Sequence, residues 1–218
     1  MMSESEAQPQ QGQMILTPFQ IKKFEHLFHT LYDTHKDMTV SRQDFFELLK
    51  KTARIRQWKT GSPGYKKAAE RLAGFWSALM TGNKRYRNNA LQAHIKLDEW
   101  LQYWSDFVMA AYDEGDFPVK SCHRIAPVSY AWHTNFLEFL FELMDVSGDG
   151  VIDKSEFTNC FAEFSLSPEE CGKAFDEMSK DGEIKKDEFA KLWYQYLTST
   201  EESDPGNSLL GKLYTPAE

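Results

Sequence analysis

Apolar residues recur at intervals of three and four along most of the chain, a spacing typical of amphipathic α-helices. The first helix is marked by Thr17, Pro18 and Gln20, which form a capping box with proline at the first helical position. No run shows the strict alternation of a substantial strand. The pattern predicts eight helices in four pairs: one beginning at residue 18, then 41–57, 62–82, 97–112, 129–144, 154–164, one beginning at residue 167, and 186–197.

The polar segment between the fifth and sixth predicted helices spaces its oxygen-bearing side chains regularly. Acidic or hydroxyl side chains alternate from its first position, a glycine at its sixth allows a sharp turn, and a glutamate closes it at its twelfth. This spacing fits the EF-hand calcium loop, and Ile152 stands where paired loops of this kind form a short two-stranded bridge. The predicted ligands are Asp145, Ser147, Asp149, the backbone carbonyl of Val151, Asp153 directly or through a water, and Glu156 with two oxygens.

A calcium ion accounts for this choice of residues. Oxygen donors with flexible geometry and a bidentate carboxylate suit a calcium ion at about 2.3–2.6 Å better than they suit the tight octahedron of Mg²⁺. The four carboxylates of residues 145–156 would also repel one another without a cation among them. An acidic turn that only caps a helix would explain neither the central glycine nor the apolar flanks. We therefore predict Ca²⁺ as the bound ion.

The first interhelical loop, residues 33–44, keeps the length of this site but not its ligands. His35 replaces an oxygen ligand, Met38 replaces the turn glycine, and Asp44 is one methylene shorter than glutamate at the last position. A soft imidazole and a strained turn both disfavour a hard ion. We expect this loop to be empty.

The second and fourth loops depart from the site in length. Residues 81–99 are seven too many and carry a basic insert at 83–89, so we expect no ion there. Residues 179–188 are two too few, and Ser179 and Asp181 leave too few converging oxygens. We expect the fourth loop to fold and to pair with residues 145–156, but to bind calcium weakly or not at all.

Charge is distributed unevenly between the two halves of the chain. Residues 1–116 carry 16 basic and 14 acidic side chains, a net +2, whereas residues 117–218 carry 9 and 19, a net −10. The total of −8 disfavours general binding to nucleic acid, and the acidic half points to cations. Three cysteines without CxxC spacing (Cys122, Cys160, Cys171) indicate free thiols in a reducing compartment. With no apolar run long enough to cross a membrane, we expect a cytoplasmic protein.

Several short sequence motifs between about residues 18 and 213 resemble those of the invertebrate sarcoplasmic calcium-binding proteins and calexcitins. They are Phe75-Trp76-x-x-Leu79, Asp98-Glu99-Trp100 and the tail from Asp204-Pro205-Gly206-Asn207 to Gly211. The stretch from Arg56-Gln57-Trp58 to Tyr65 is similar to the insect branch of that family, which includes proteins described as juvenile hormone diol kinases. The resemblance implies a compact four-hand fold with cytosolic calcium buffering or sensing.

These observations predict an all-α fold of four EF-hand units in two paired lobes, joined by short bridges between loops. The expected parts are a disordered tail at 1–14, a degenerate hand pair at 15–116, a pair with one competent loop at 117–200, and a C-terminal tail at 201–218 that packs on the fold. We expect a monomer that binds calcium as a buffer, sensor or calcium-stabilised scaffold.

Two further partners stay open at this point. The aromatic content of the chain, 14%, allows a small hydrophobic ligand inside the fold, and the family branch suggests phosphorylation of such a ligand. The sequence itself gives a kinase little support, because Gly61 to Lys66 lacks the spacing of a phosphate-binding loop and Pro63 removes a backbone donor. The other open partner is a protein helix, bound in a groove that calcium would open in the second half, lined by Phe141, Met144, Phe161 and Met178.

Overall fold

The computed structural model of the chain describes residues 15–82, 93–113 and 131–213, except for the side chains of residues 110–113 and 131–133. Within these ranges the structure has eight α-helices, as the apolar spacing predicts. They are α1 (Pro18–Leu27), α2 (Arg42–Ile55), α3 (Pro63–Gly82), α4 (Leu97–Asp113), α5 (Ala131–Met144), α6 (Lys154–Ala162), α7 (Pro168–Met178) and α8 (Lys186–Thr198). Four three-residue strands accompany them: β1 (Thr39–Ser41), β2 (His94–Lys96), β3 (Val151–Asp153) and β4 (Glu183–Lys185).

Local capping sets the helix starts. The predicted box at α1 is present, since Thr17 Oγ1 accepts from the Gln20 amide and Gln20 Oε1 accepts from the Thr17 amide. Ser41 and Asp44 form the same reciprocal pair at α2. At α7 only half of the expected box forms: Ser167 accepts from the Glu170 amide, and the structure records no return bond.

The backbone conformation, more than the apolar spacing, determines where the helices end. Helix α1 continues as a π-helical turn over Phe28–Tyr32, which carries the apolar stripe on to Leu31. Helix α2 ends at Ile55, two residues before the predicted end, because Gln57 adopts a left-handed φ of 52° that an α-helix cannot contain. Helix α6 likewise ends at Ala162, ahead of Ser165 at φ 65°.

The strands join the loops in pairs, as predicted for EF-hands. Strand β3 pairs antiparallel with β4 and places Ile152 opposite Ile184, both of them buried. Strand β1 pairs in the same way with β2 and places Val40 opposite Ile95. Each pair of hands therefore shares one apolar bridge residue from each loop.

The two halves of the chain meet along α3 and α5. Arg71 of α3 lies between Glu138 and Glu142 of α5, with guanidinium–carboxylate distances of 3.6 and 2.5 Å. One turn further along α3, the ring of Phe75 stacks on that of Phe136 of α5, with centroids 4.7 Å apart. The aromatic residues that the sequence supplies in number therefore form a shared core between the halves.

Some predicted features lie outside the described residues: the tail at 1–14, the basic insert at 83–89, and the segment with Cys122 that separates the halves. The proposed division into two lobes stays a prediction. None of the helices in the described ranges has the length and apolar character needed to cross a bilayer.

Candidate metal centre

The candidate calcium loop lies between two helices whose apolar residues anchor it. Phe141 and Met144 at the end of α5 and Phe157 at the start of α6 are buried. Phe157 contacts Phe175 of the fourth hand, with ring centroids 5.5 Å apart, and Phe141 contacts Phe189 at the same distance. The entering helix of each hand therefore packs against the exiting helix of its partner, which sets the two ends of the loop.

Asp145, the first predicted ligand, is buried and turned into the loop. Its Oδ1 accepts from the Gly148 amide at 2.7 Å, and its Oδ2 accepts from the Gly150 amide at 3.2 Å. Gly150 has a φ of 90°, and an added Cβ would meet no atom within 4 Å. The backbone conformation and not a lack of space therefore requires glycine at this turn, as predicted.

Ser147 and Asp149 each take part in hydrogen bonds within the turn. The hydroxyl of Ser147 lies 3.4 Å from Asp145 Oδ1 and accepts from the Asp149 amide. Asp149 Oδ1 accepts from the amide of Val151, the residue predicted to supply a carbonyl ligand. Oxygens from alternate positions thus form hydrogen bonds within the loop.

The last two ligands sit at the start of α6 in a reciprocal cap. Asp153 Oδ1 accepts from the Glu156 amide at 2.7 Å, and Glu156 Oε2 accepts from the Asp153 amide at 3.1 Å. Glu156 Oε1 reaches back across the loop and accepts from the Ser147 amide at 2.7 Å. The carboxylate at the twelfth position therefore already lies against the third position.

In the part of the chain that the structure describes, no three His, Cys, Asp or Glu side chains are grouped closely enough to hold a metal ion. The loop carboxylates accept from loop amides in this conformation, and each of them keeps lone pairs with which it can ligate a cation. The donor set nevertheless fits calcium, because all six predicted ligands offer hard oxygens and two positive-φ glycines, Gly148 and Gly150, leave the turn open.

Residues from the N-terminal half border this loop, which the sequence does not reveal. A groove of about 560 Å³ is lined by Ser147, Asp153 and Glu156 on one side and by Arg54 and Ile55 of α2 on the other. Next to it, the ammonium of Lys51 lies 4.4 Å from the ring centre of Phe164. No spacing rule links residues about a hundred positions apart, so only the packing of α2 on α6 identifies these neighbours.

The fourth loop folds and pairs, as expected. Gly182 makes its turn at φ 82°, and the Ser179 hydroxyl donates to the Glu183 carbonyl at 3.1 Å. Glu188 caps α8 as Glu156 caps α6, accepting from the Lys185 amide at 3.1 Å. The weak binding expected of this loop stays a prediction, as does the empty state expected of residues 81–99.

In the first loop, residues 33–44, the carboxylate at the last position accepts hydrogen bonds from other residues of the loop. Asp44 is 1% exposed and accepts from Thr34, from Ser41 and from His35 Nδ1, the last at 2.7 Å. Burial raises the pKa of Asp44, but these hydrogen bonds outweigh it and leave the pKa below its ordinary value. The same hydrogen bond raises the pKa of His35. The imidazole therefore lies beside the carboxylate and, when protonated, balances its charge as a bound cation would.

The helix-binding groove that calcium is expected to open in the second half stays a prediction. Its four expected lining residues, Phe141, Met144, Phe161 and Met178, are all buried in the core. The cysteines described here, Cys160 and Cys171, are free thiols, as expected. Burial raises the pKa of Cys171 to about 11 and that of Cys160 further, so neither thiol ionises at neutral pH.

Comparison with known proteins agrees with this geometry. The family model described as "EF hand" matches residues 138–162, which contain the whole candidate loop. Sarcoplasmic calcium-binding proteins I, III and IV of Branchiostoma lanceolatum are 27% identical over 198 residues, covering 90% of this chain and 98% of theirs. Calexcitin-1 of Caenorhabditis elegans is 27% identical over 200 residues, covering 89% and 87%.

A solved structure extends the similarity to the fold. The structure of a sarcoplasmic calcium-binding protein from amphioxus superposes with a TM-score of 0.66 at 25% identity, covering 90% of this chain and 98% of that one. These findings confirm the predicted EF-hand fold, the resemblance to sarcoplasmic calcium-binding proteins and calexcitin, and calcium binding as the function. The branch similar to juvenile hormone diol kinases has no support among these relatives and stays a prediction.

Proposed function

We propose that the chain binds one calcium ion strongly, in the loop at residues 145–156. The ligands are the side chains of Asp145, Ser147, Asp149, Asp153 and Glu156 and the backbone carbonyl of Val151. The observation that carries this proposal is the contrast between loops: the carboxylate of Glu156 accepts only from two backbone amides, whereas its counterpart Asp44 is bonded to a histidine and two hydroxyl groups.

Electrostatics supports a cation in this loop. A bound Ca²⁺ supplies positive charge that offsets four carboxylates within twelve residues. Lys154, which lies within the same loop, does not do so, since it is engaged with Asp176 at 2.6 Å. A dissociation constant in the sensor range, about 10⁻⁷–10⁻⁵ M, would correspond to about −7 to −10 kcal/mol.

Isothermal titration calorimetry of the full chain with CaCl₂ tests the proposal. We expect one strong site. Glu156→Gln removes one charged ligand and raises the Kd about 100-fold or more, equal to about 2.7 kcal/mol or more. Glu188→Gln is the matched control, because it removes an equivalent cap at 3.1 Å from the start of α8 and leaves the Kd unchanged.

Two results would contradict this assignment. Heat from two or more strong sites would show that a degenerate loop also binds, and undiminished uptake by the Glu156→Gln variant would remove the proposed ligand set.

We also propose a cytoplasmic, monomeric protein that acts as a sensor, a calcium-stabilised scaffold or a buffer. A single site in 25.3 kDa is a poor buffer by mass, so the first two roles are favoured over storage. Free buried thiols support a reducing compartment. Sedimentation with and without calcium tests the oligomeric state, and a calcium-dependent dimer would overturn that part.

A small apolar ligand is a second candidate, and one observation favours it. The hydroxyl of Tyr32 is fully buried within the described core and has no hydrogen-bond partner there, although the rings of Phe45, Phe75 and Trp100 lie within 6 Å of its ring. Buried hydroxyls are normally satisfied. Native mass spectrometry of the purified chain tests this: an adduct that Tyr32→Phe loses would support the candidate, and a bare chain mass would reject it.

A further inference from the structure

The C-terminal segment after α8 lies across three helices. We call residues 199–211 the strap. Its Gly206 amide donates to Gln195 Oε1 of α8 at 3.0 Å, and its Ser208 hydroxyl donates to Glu177 of α7 at 3.1 Å. Its two leucines, Leu209 and Leu210, are fully buried. The strap is therefore part of the core and not a tail on the surface.

Helix α1 holds the strap with a buried polar face. Gln20, Lys23 and His26 follow one another at intervals of three, so they share one side of the helix, and they are 2%, 0% and 0% exposed. Long polar side chains are almost never buried to this degree without partners. Their burial on the side of α1 that faces α8 therefore requires a matching set of acceptors.

The strap and the end of α8 supply that set, mostly from the main chain. Gln20 Nε2 donates to the Thr198 carbonyl at 3.1 Å, and Lys23 Nζ donates to the Ser199 carbonyl at 2.7 Å. Lys23 also donates to Asn207 Oδ1 at 2.9 Å, and His26 Nε2 lies 2.8 Å from the Leu210 carbonyl. Lys23 and His26 thus contact different points along the strap, and Gln20 contacts the end of α8 directly before it.

Steric fit fixes the strap in place. A Cβ on Gly206 would lie 2.5 Å from the Leu192 carbonyl oxygen and 2.4 Å from Gln195 Cβ, distances that no side chain tolerates. At the far end, a Cβ on Gly211 would lie 2.9 Å from Leu166, beside α7. The strap therefore runs in close backbone contact from α8 to α7.

We propose that the strap is a clamp that keeps the second hand pair closed when calcium binds, so that calcium loading exposes no apolar groove until the strap is released. Opening of an EF-hand pair moves its helices apart and uncovers apolar side chains between them. Here α7 and α8 of that pair are tied to each other and to α1 by the strap, while Phe141, Met144, Phe161 and Met178 stay buried. The proposal rests on calcium binding at residues 145–156.

The test compares strap variants with a matched glycine control in the full chain. Gly206→Ala introduces the clashing Cβ, Lys23→Met removes two bonds to the strap, and Gly74→Ala adds a Cβ that meets no atom within 4 Å. Peptide-level hydrogen exchange over residues 199–213 reports strap release. Fluorescence of a hydrophobic dye with and without calcium reports groove exposure, and calorimetry reports calcium binding.

We expect the native chain and Gly74→Ala to show little change in dye fluorescence on adding calcium. Gly206→Ala and Lys23→Met should exchange faster over the strap and show a calcium-dependent rise of about threefold or more, as expected for an opened groove. A released strap with no rise, a rise already present in the native chain, or two variants that leave exchange unchanged would each overturn the clamp. If calorimetry detects no calcium binding to the native chain, the result would instead overturn the proposed site.

Discussion

The loops at residues 33–44 and 145–156 have the same length and the same fold, yet they treat their last carboxylate differently. Asp44 accepts from two hydroxyl groups, two backbone amides and an imidazole. Glu156 accepts from two backbone amides. In both loops the third position reaches the twelfth, but His35 does so with a side chain that can carry charge, whereas Ser147 does so with its amide.

This difference shows two ways in which an EF-hand loop satisfies its last carboxylate. In the loop at residues 33–44, donors from the loop itself surround the last carboxylate, in line with the prediction that this loop holds no ion. The loop at residues 145–156 leaves its carboxylates with neutral amide partners, so a divalent ion can compete for their oxygens. The strand pairs β1–β2 and β3–β4 are both antiparallel and have three residue pairs each. The pairing of the loops therefore does not depend on how a loop satisfies its last carboxylate.

The largest expected effect concerns calcium-dependent stability. At a calcium concentration about 1,000 times the Kd, binding to the native state adds about 4 kcal/mol. For a chain of this size, that raises Tm by about 8–16 °C. Asp145→Asn should abolish the rise, and Asp33→Asn, at the same loop position of the first hand, should leave it intact. Differential scanning calorimetry with calcium and with a chelator measures both, and an equal loss in the two variants would break the distinction between the loops.

A smaller effect concerns the turn at the sixth loop position. Met38 adopts φ 63° and is 51% exposed, while Gly150 adopts φ 90°. A left-handed φ costs a residue with a side chain about 1–2 kcal/mol of stability. Replacing that residue by glycine recovers only part of this free energy, because glycine has more conformational freedom to lose from the unfolded chain. We expect Met38→Gly to raise the calcium-free free energy of unfolding by about 0.5–1 kcal/mol, and Gly150→Ala to lower it by about 1 kcal/mol.

Urea denaturation of these two variants at one pH, in chelator, measures both changes. Opposite signs are the expected result, and equal signs would mean that the turn is not the source of strain in the first loop.

The smallest effect is the pH dependence of the first loop. The hydrogen bond with Asp44 raises the pKa of His35, so the stability it contributes is complete below the ordinary pKa of 6.5 and is lost as pH rises through the raised value. The low pKa of Asp44 acts in the other direction, and its contribution is lost only in acid, below its ordinary pKa of 3.8. His35→Gln should therefore be less stable than the native chain at about pH 5.5 and nearly equal to it at about pH 8.5.

Urea midpoints at both pH values, at low and high salt, check this expectation. Because His35 is exposed, salt should shrink the difference at the lower pH. A constant difference at both pH values would show that the histidine acts by shape and not by charge.

Local signals predicted most of the fold and the candidate loop. The capping boxes at Thr17 and Ser41 form, and Ile152 pairs with Ile184 as the loop spacing requires, because such features depend on residues a few positions apart or on a repeated loop position. Helix ends were less predictable, since Gln57 and Ser165 adopt left-handed φ values that no preference of their residue type signals.

The sequence by itself determined where oxygen ligands alternate, where a glycine permits the turn, and why the other three loops differ from residues 145–156. Only the tertiary structure decided that Lys23 and His26 are buried and that His35 takes the place of a cation beside Asp44. The physical reason is range. Ligand spacing and helix periodicity act within one loop or one turn, whereas a buried polar side chain needs a partner that folding brings from far along the chain, as Leu210 is brought to His26 from 184 positions away.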